Sequence, residues 1–386
     1  MEERFLAKNF LPEQYESTEK LPINHNYLTE QFEDFKEIFQ KIEEVVRRGD
    51  FTLGRAVNEF EKDFAKTIGV KHAVGVGSGT DALFLSLKAL GIGKGDEVIT
   101  TAFTFYATVG AIVTSGAKPV FVDIQDDYNI DPDKIENAIT ERTKAIMPVH
   151  WSGKPCQMAS LQVIADKFGL HIVEDACHAI QAKLNGRGAG SFGTFGCFSL
   201  HPLKNLNVWG DGGLACTNSD QLADKLRLMR NHGLADRDTC NIFAYNSRLD
   251  TVQAVVGSHL LEKIAIITER RIANAKVLDD ALSCLSQVSI PPRDTQSIKQ
   301  VYHIYSLCFE RRDDLQKFLI SKGIDAKIHY PIPMHLQPAA IELGYKRGDF
   351  PKAESISNRT LSLPVHEFVD KSDLSLMIEK IKEFYN

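Results

Sequence analysis

The feature that most constrains the fold is an alternation of short β-branched runs with amphipathic stretches between residues 71 and 201. Six runs predict strands, at 71–77 (KHAVGVG), 97–101 (EVITT), 118–123 (KPVFVD), 144–150 (KAIMPVH), 171–175 (HIVED) and 195–201 (FGCFSLH). Residues 81–90 (DALFLSLKAL) and 159–168 (ASLQVIADKF) have the helical period. Strands buried on both faces and separated by helices are typical of a mostly parallel sheet with right-handed crossovers. The sequence therefore predicts an α/β domain.

The pattern changes after about Asp250. Long charged helices are predicted near 252–284, a strand at 301–309, and a proline-rich loop at 329–338. This half predicts a smaller α+β domain, so we divide the chain into an N-terminal segment with the large domain, 1–250, and a small domain, 251–386. A helix near 28–47 is expected to pack beside the small domain. Within the large domain, Asp131 followed by Pro132 predicts the N-cap and first residue of another helix.

Composition and charge exclude several classes of protein. The 386 residues are 43% hydrophobic, and 45 basic against 51 acidic residues give a net charge of −6, with no basic cluster of the kind that binds nucleic acid. Residues 98–117 carry no charge and could cross a bilayer, but their five threonines, one serine and two glycines favour a strand, a turn and a helix in a soluble core. We therefore expect neither a nucleic acid nor a membrane as partner.

The N-terminus and the cysteines bear on the compartment. The first residues, MEERFLAKNF, lack the apolar segment of a signal peptide. Seven cysteines are scattered without a CxxC pair, which favours reduced thiols. Both observations predict a cytoplasmic location.

A glycine-rich turn, GVGSGT (75–80), lies between a predicted strand and a predicted helix. Its third glycine position is Thr80, so it departs from the dinucleotide-binding pattern G-x-G-x-x-G. The amides of Ser78, Gly79 and Thr80 at a helix N-terminus are suited to hold a phosphate. On the motif alone, a tight turn without a ligand is an equally good interpretation.

Two further side chains have a setting suited to chemistry. Asp175 ends an apolar strand, where parallel sheets open onto ligands, and the neighbouring Glu174 should point to the opposite face. Lys204 follows a strand and precedes a glycine-rich loop, and a lysine in an apolar setting is an amine nucleophile. Ser199 is either a phosphate ligand or an ordinary strand hydroxyl. Taken alone, a strand-end aspartate such as Asp175 is more often a helix cap or a solvated charge, and a lysine such as Lys204 is more often a solvated surface residue.

Metal and serine-hydrolase motifs are missing from the sequence. It contains no HExxH, no ligand spacing of cysteine and histidine, no EF-hand loop and no G-x-S-x-G elbow. We therefore expect no metal.

The order of these segments resembles the DegT/DnrJ/EryC1/StrS family of sugar aminotransferases, which are fold-type I enzymes dependent on pyridoxal phosphate. The resemblance runs from about Tyr27 to the C-terminus. It rests on SGTDAL (78–83), GDEVITTAFTFYAT (95–108), PVFVDI (119–124), TKAIMPVH (143–150), EDACHA (174–179), HPLKNLNVWGDGG (201–213), YNSRLD (245–250), HYPIPMH (329–335) and LSLPVH (361–366). Nine segments in the order of the family make coincidence implausible.

The resemblance implies roles for individual residues. Lys204 corresponds to the Schiff-base lysine and Asp175 to the acid that pairs with the pyridinium nitrogen. The aromatic residue that stacks on the cofactor is Phe105, and the phosphate-binding positions are Ser78, Gly79, Thr80 and Ser199. Asn246 matches an asparagine that reaches the phosphate from the neighbouring subunit, which implies a homodimer with shared sites. Substrate contacts are expected at Trp209, Arg248, His329 and Tyr330.

The sequence departs from the family pattern in two places. His178 stands where the family often has a glutamine that contacts the phenolic oxygen of the cofactor, and histidine can donate the same hydrogen bond. Asn207, Val208 and Trp209 follow the lysine where smaller residues are commoner, which bears on the acceptor pocket.

The expected activity is transfer of an amino group from glutamate or glutamine to a ketosugar, usually nucleotide-linked. A small phosphorylated ketone and a cyclic polyol ketone remain alternative acceptors. A sugar dehydratase on the same fold is recognised by histidine in place of the lysine, and a non-catalytic regulator would be expected to lose Lys204 or Asp175. An NAD-dependent oxidoreductase is the remaining alternative.

Overall fold

A seven-stranded sheet is the centre of the larger part of the computed structural model, which describes residues 21–294 and 296–386. The strands in chain order are β1 (His72–Val76), β2 (Glu97–Thr101), β3 (Lys118–Val122), β4 (Thr143–Met147), β5 (His171–Asp175), β6 (Lys183–Leu184), β7 (Arg187–Gly188), β8 (Phe195–Ser199), β9 (Gly213–Thr217), β10 (Val288–Ser289), β11 (Ile298–Lys299), β12 (Tyr305–Phe309) and β13 (Thr360–Leu363). The helices are α1 (Leu28–Gln31), α2 (Phe35–Arg48), α3 (Arg55–Ile68), α4 (Gly79–Ala89), α5 (Tyr106–Ser115), α6 (Met158–Phe168), α7 (Asp220–Met229), α8 (Thr251–Leu261), α9 (Ile264–Leu282), α10 (Arg312–Ser321), α11 (Pro351–Arg359) and α12 (Lys371–Tyr385).

The strand order of the large sheet is β1-β9-β8-β5-β4-β2-β3. Strands β8, β5, β4, β2 and β3 run parallel, whereas β9 pairs antiparallel with both β1 and β8. All six predicted strands are present, α4 and α6 confirm the predicted helices, and β2 and α5 confirm the predicted strand, turn and helix of residues 98–117. The α/β class with a mostly parallel sheet is therefore confirmed.

Strand β9 was not predicted. It begins at Gly213 in a glycine-rich stretch without β-branched residues before Thr217, so its local propensity for a strand is weak. Its position between β1 and β8 compensates, because it is buried along its whole length. A Cβ on Gly213 would lie 2.3 Å from the carbonyl oxygen of Ser78, so only glycine permits this close approach.

Two predicted helices differ in the structure. Asp131 does act as an N-cap, with its side chain accepting from the Asp133 N–H, but only two short 3₁₀ turns follow it, at Pro132–Lys134 and Glu136–Ala138. The helix near 28–47 forms as α1 and α2. Helix α2 packs on α8 and shares a core cluster with α3, on the side of the large sheet rather than beside the small domain.

The C-terminal part is built on an antiparallel sheet of order β10-β12-β13, with α9, α10 and α12 packed around it. The predicted strand at 301–309 begins only at Tyr305. Helix α8 packs on α3 of the large part, although the predicted boundary places it in the small domain, and that boundary at 250/251 stays a prediction. Within the described residues, no helix combines the length and hydrophobicity required to traverse a bilayer.

Candidate active site

A cavity of about 340 Å³ lies between the carboxyl ends of β5 and β8 and the small sheet. This volume is in the range of roughly 300–1,000 Å³ that is usual for small-molecule sites. Its walls include most of the predicted residues, namely Ser78, Gly79, Thr80, Phe105, Asp175, His178, Ser199, Lys204, His329 and Tyr330. The fold thus brings together residues that are separated by up to 252 positions in the sequence, from Ser78 to Tyr330.

Lys204 lies in the loop that leaves β8. Its backbone N–H donates to the His201 carbonyl, and its Nζ lies 3.4 Å from Nε2 of His303. Burial lowers the pKa of the Lys204 amine, although the nearby Cys177 and Asp175 act in the opposite direction. Since only the neutral amine is a nucleophile or a base, the setting favours both kinds of chemistry at Nζ.

Asp175 ends β5 and is 5% exposed. One carboxylate oxygen accepts a hydrogen bond of 2.7 Å from the Thr108 hydroxyl, which is itself 2.7 Å from the Thr104 hydroxyl. The other accepts from the Cys177 N–H at 3.2 Å. These donors satisfy part of the carboxylate and hold it in one orientation, so it can serve as a fixed negative charge in the cavity wall.

Glu174 points to the opposite side of the sheet, as predicted from the strand period. It is fully buried and accepts backbone hydrogen bonds from Gly190, Phe192 and Gly193. His150 lies 2.8 Å away, and its other ring nitrogen accepts from a backbone N–H. Glu174 therefore holds the loop before β8 and takes no part in the cavity.

The glycine-rich turn connects β1 to α4. The Ser78 hydroxyl caps α4 by accepting from the Asp81 N–H at 3.0 Å. The N–H groups of Gly79 and Thr80 are the first two of the helix and have no partner within it. A Cβ on Gly79 would lie 2.6 Å from Cβ of Ser199, so glycine allows α4 to start directly against β8. The turn therefore presents free donors and hydroxyls at one end of the cavity.

Phe105 and His178 form parts of the remaining wall. Phe105 precedes α5, is 47% exposed, and lies in an aromatic group with Tyr106 and Tyr330 at ring distances of 5.1 and 5.8 Å. His178 is buried, with its ring 4.4 Å from that of His303, and burial holds its pKa well below the ordinary value. Its Nδ1 is buried without a partner among the described residues.

These features fit a phosphorylated pyridine ring of the kind that the resemblance implies. The unpaired N–H groups at α4 suit a phosphate, because a helix N-terminus favours an anion. Asp175 presents a fixed carboxylate that a protonated ring nitrogen could pair with, and the buried Nδ1 of His178 has no hydrogen-bond partner among the described residues. The residues present therefore match pyridoxal phosphate.

Three predicted residues do not line the cavity of their own chain. Asn246 is exposed and pairs its backbone with Asn231, and Arg248 donates to the side chain of the same Asn231 at 3.0 Å. Trp209 packs edge-on against Phe32 of the N-terminal segment. Their roles toward cofactor and substrate stay predictions.

Several residues of the site were not predicted from the sequence. His303 was included in a predicted strand, but it precedes β12 and faces Lys204. Thr108 holds Asp175 from the first turn of α5. Both residues are polar positions within otherwise apolar runs, which could have marked them as candidates. The sequence period does not show, however, which side chain each of them contacts.

A cluster of two acidic side chains and a histidine lies outside the cavity. Ligand atoms of Asp34, Glu37 and His259 come within 4.8 Å of one another. Nζ of Lys263 contacts the same Asp34 carboxylate. This ammonium already supplies the positive charge that the group needs, so the arrangement gives no support for a metal.

Comparison with known proteins gives a consistent result. The sequence profile described as the DegT/DnrJ/EryC1/StrS aminotransferase family matches residues 33–382. A relative from Geobacillus stearothermophilus, named pleiotropic regulatory protein, is 43% identical over 93% of this chain and 97% of its own. The dTDP-3-amino-3,4,6-trideoxy-alpha-D-glucose transaminase of Streptomyces venezuelae is 39% identical, over 89% and 90%. The UDP-N-acetyl-3-dehydro-alpha-D-glucosamine 3-aminotransferase of Acidithiobacillus ferrooxidans is 41% identical, over 85% and 88%.

Solved structures agree with this result. S. venezuelae DesV, in complex with a ketimine intermediate, superposes with a TM-score of 0.91 at 38% identity, covering 95% of this chain and 99% of that one. The sugar aminotransferase Spr1654 of Streptococcus pneumoniae, described as putative and solved in its PMP form, superposes with a TM-score of 0.84 at 26% identity, covering 90% and 96%.

Proposed function

This chain belongs to the DegT/DnrJ/EryC1/StrS aminotransferase family, and from that premise we propose that it moves an amino group from glutamate or glutamine to the ketone of a nucleotide-linked sugar. It is an aminotransferase, and pyridoxal phosphate is its cofactor. The proposed acceptor class is supported by relatives named for dTDP-linked and UDP-linked sugars. The observation that carries the proposal is the presence of Lys204 and Asp175 in one cavity.

Pyridoxal phosphate, when bound, supplies an aldehyde that exchanges amino groups and a ring that delocalises the electrons released at the substrate carbon. Its phosphate would be held by the N–H groups at the start of α4 and by the hydroxyls of Ser78 and Ser199. Phe105 would cover one face of its ring. The carboxylate of Asp175 would keep the ring nitrogen protonated through an ion pair, with Thr108 holding that carboxylate in place.

Nζ of Lys204 has the proton-transfer role in this proposal. The neutral amine would accept the α-proton of the donor amino acid, and the ammonium so formed would give up a proton in the following step. A lowered pKa increases the neutral fraction at pH 7, so the amine is ready to accept a proton. His178 would donate a hydrogen bond to the phenolic oxygen of the cofactor from Nδ1, which has no partner among the described residues.

The residues in the cavity argue against two alternatives to an aminotransferase, a dehydratase and a non-catalytic regulator. The dehydratases on this fold have histidine at the lysine position, and this chain has Lys204 there. A regulator without catalytic activity, which the name of the Geobacillus relative brings to mind, has no need of both Lys204 and a hydrogen-bonded Asp175. A small phosphorylated ketone or a cyclic polyol ketone remains the alternative acceptor.

The proposed assembly is a homodimer in which Asn246 of the partner subunit completes each phosphate site. It is supported by the exposure of Asn246 outside the cavity of its own chain. The loop before it exposes Ile242, Phe243 and Tyr245, three large apolar side chains suited to an interface. The proposed location is the cytoplasm, supported by seven cysteines that are all free thiols.

The test is an acceptor panel assayed with glutamate and with glutamine, following release of the oxo acid. We expect turnover with a nucleotide-linked ketosugar, none in Lys204→Ala, and a loss on the order of 100- to 1,000-fold in Asp175→Asn, since one fixed charge in a site contributes about this much. The control is Asp224→Asn on the exposed face of α7. Turnover only with a phosphorylated or cyclic polyol ketone would show that the acceptor is not a nucleotide-linked sugar. Normal turnover in Asp175→Asn would show that Asp175 is not needed to keep the ring nitrogen protonated.

A further inference from the structure

The cavity has a second end, which the cofactor residues do not occupy. There the walls come from the segment before α1, from α9 and from the strands of the small sheet. The cationic side chains at this end are Arg271 and Lys327, and the apolar lining includes Leu363 and Val365. Among the described residues that line the whole cavity, the only carboxylates are Asp175 and Asp211. The acids that approach the two cations, Glu367 and Asp325, are not part of this lining.

Arg271 is committed to the protein. It is 2% exposed, its guanidinium donates to the Tyr27 hydroxyl and to the Tyr302 carbonyl, and it lies 3.3 Å from the Glu367 carboxylate. The guanidinium carbon of Arg271 also lies over the Tyr27 ring, 5.0 Å from its centroid. These contacts fix the segment before α1 against α9, so Arg271 is structural and is not available to a ligand.

Lys327 is different. Its side chain is 35% exposed, and the nearest carboxylate, Asp325, lies 3.5 Å from Nζ. A well-formed hydrogen bond between an ammonium and a carboxylate is about 2.7–2.9 Å long. Asp325 also accepts from the backbone N–H of His25 at 3.1 Å, which holds it in place. Asp325 therefore uses only part of the hydrogen-bonding capacity of the Lys327 ammonium, and the rest is available to a ligand in the cavity.

His329 adds a neutral donor to the lining of the same cavity. The hydroxyl of the buried Ser362 lies 2.9 Å from Nδ1 of His329 and has no other acceptor among the described residues. The hydroxyl therefore donates to Nδ1, which leaves the ring proton on Nε2, an atom without a partner in the described part of the chain. Burial lowers the pKa of His329 to about 3, so the ring contributes an N–H and no charge at neutral pH.

The geometry points to a carboxylate subsite at Lys327 and His329, in which one ammonium and one neutral N–H bind a carboxylate of the substrate while Lys204 and Asp175 handle the reacting end. The inference rests on the proposed function and names the chemical group that is recognised. A diphosphate has at least two negative charges and is the poorer match, because only one cation at this end is uncommitted. The carboxylate has two sources, the amino donor or an acceptor that is a uronic acid.

The test uses calorimetric titration of the purified protein with its cofactor, so the readout is binding and does not need turnover. The two probes are glutarate, a dicarboxylate without an amine, and glucuronate, with 1,5-pentanediol as the uncharged reference. We expect Lys327→Met to weaken one of the carboxylate probes about ten- to hundredfold, which is the usual effect of losing one charge-assisted hydrogen bond. Lys327→Arg should stay within a few-fold of the unmodified protein.

The matched control is Lys322→Met. Lys322 has nearly the same exposure, 38%, and pairs loosely with Glu383 outside the cavity. A loss confined to glutarate assigns the subsite to the amino donor, and a loss confined to glucuronate assigns it to the acceptor. The proposal is overturned when both probes keep their affinity in Lys327→Met, when Lys322→Met weakens them equally, or when neither probe binds more tightly than pentanediol. Lys327→Gln repeats the test should the methionine variant melt at a lower temperature.

This outcome is independent of the acceptor panel. Binding of glutarate or glucuronate that depends on Lys327, in a protein that aminates no sugar, would refute the proposed acceptor and leave the subsite. If the protein aminates a ketosugar but Lys327→Met binds both probes with unchanged affinity, the proposed acceptor is supported and the subsite is refuted.

Discussion

Asp175 and Glu174 are adjacent in the chain and have unrelated tasks. The strand period turns one carboxylate into the cavity and the other into the protein, where three backbone N–H groups and His150 satisfy it. The difference between them is in their partners. Asp175 keeps an open side toward the cavity, whereas Glu174 is fully enclosed and therefore structural.

His178 offers a test at the scale of one residue. We expect His178→Gln to retain most of the activity, because the amide can donate the hydrogen bond that Nδ1 of the ring donates. His178→Leu should lose about tenfold or more in turnover, since a donor is removed next to a charged acceptor. Steady-state kinetics and the absorbance of the retained cofactor provide the measurement. Equal activity of the two variants would reduce His178 to a packing role.

At the scale of an element, α4 depends on how closely it approaches β8. A Cβ at Gly79 would overlap Ser199, and the backbone of α4 would have to move away from the strand that carries that hydroxyl. The N–H groups at the start of α4 and the Ser199 hydroxyl would then separate. The contact between α4 and β8 thus sets the shape of this end of the cavity.

We expect Gly79→Ala to lower the free energy of unfolding by about 1–3 kcal/mol through overpacking and to release cofactor during gel filtration. Gly110→Ala is the matched control, because Gly110 lies within α5 and an added Cβ meets nothing within 4 Å. That variant should gain about 0.5–1 kcal/mol from helix propensity. Urea unfolding and cofactor absorbance test both, and full cofactor retention by Gly79→Ala would contradict the close-approach argument.

At the scale of the whole molecule, distant segments bury uncharged histidines around the cavity. Burial lowers the pKa of His25 and of His329 to about 3, from an ordinary value of 6.5. Below pH 6.5 the unfolded chain binds protons that the folded protein does not accept until about pH 3. The free energy of unfolding therefore decreases as the pH falls through this window, by up to about 1.4 kcal/mol per pH unit for each group.

The prediction is a free energy of unfolding that decreases from pH 6.5 toward pH 4.5, with a shallower slope when His25→Asn and His329→Asn are combined. The control is His232→Asn, at an exposed position. Urea unfolding at each pH measures the slope. An unchanged slope in the double variant would mean that other groups control the acid stability.

The proposed shared site can be tested at the scale of the assembly. Mixing Lys204→Ala chains with an inactive Asn246→Leu variant should restore activity after subunit exchange in mild denaturant. Random pairing makes half of the dimers hybrids and leaves half of their sites intact, so recovery should reach roughly a quarter of the unmodified level. Each variant exchanged with itself is the control. No recovery after verified exchange, or an active monomer in sedimentation, would refute the shared site.

The sequence by itself determined the class of the fold and the order of the six predicted strands along the chain. These features depend on local information, since the strand period and the strand ends can be read from neighbouring residues. The match of nine segments to one family added the predicted cofactor roles. Asp131 was also recognised as an N-cap, because capping involves only the next few residues.

Only the tertiary structure decided which partners these residues have. Strand β9 has weak local propensity and forms because β1 and β8 flank it. His303, Thr108 and Lys327 reach the cavity from segments far apart in sequence, so no local pattern could predict their contacts with Lys204, Asp175 or a ligand. Burial, charge pairing and close approach are properties of the packed chain, and they decide which polar side chains remain free to bind.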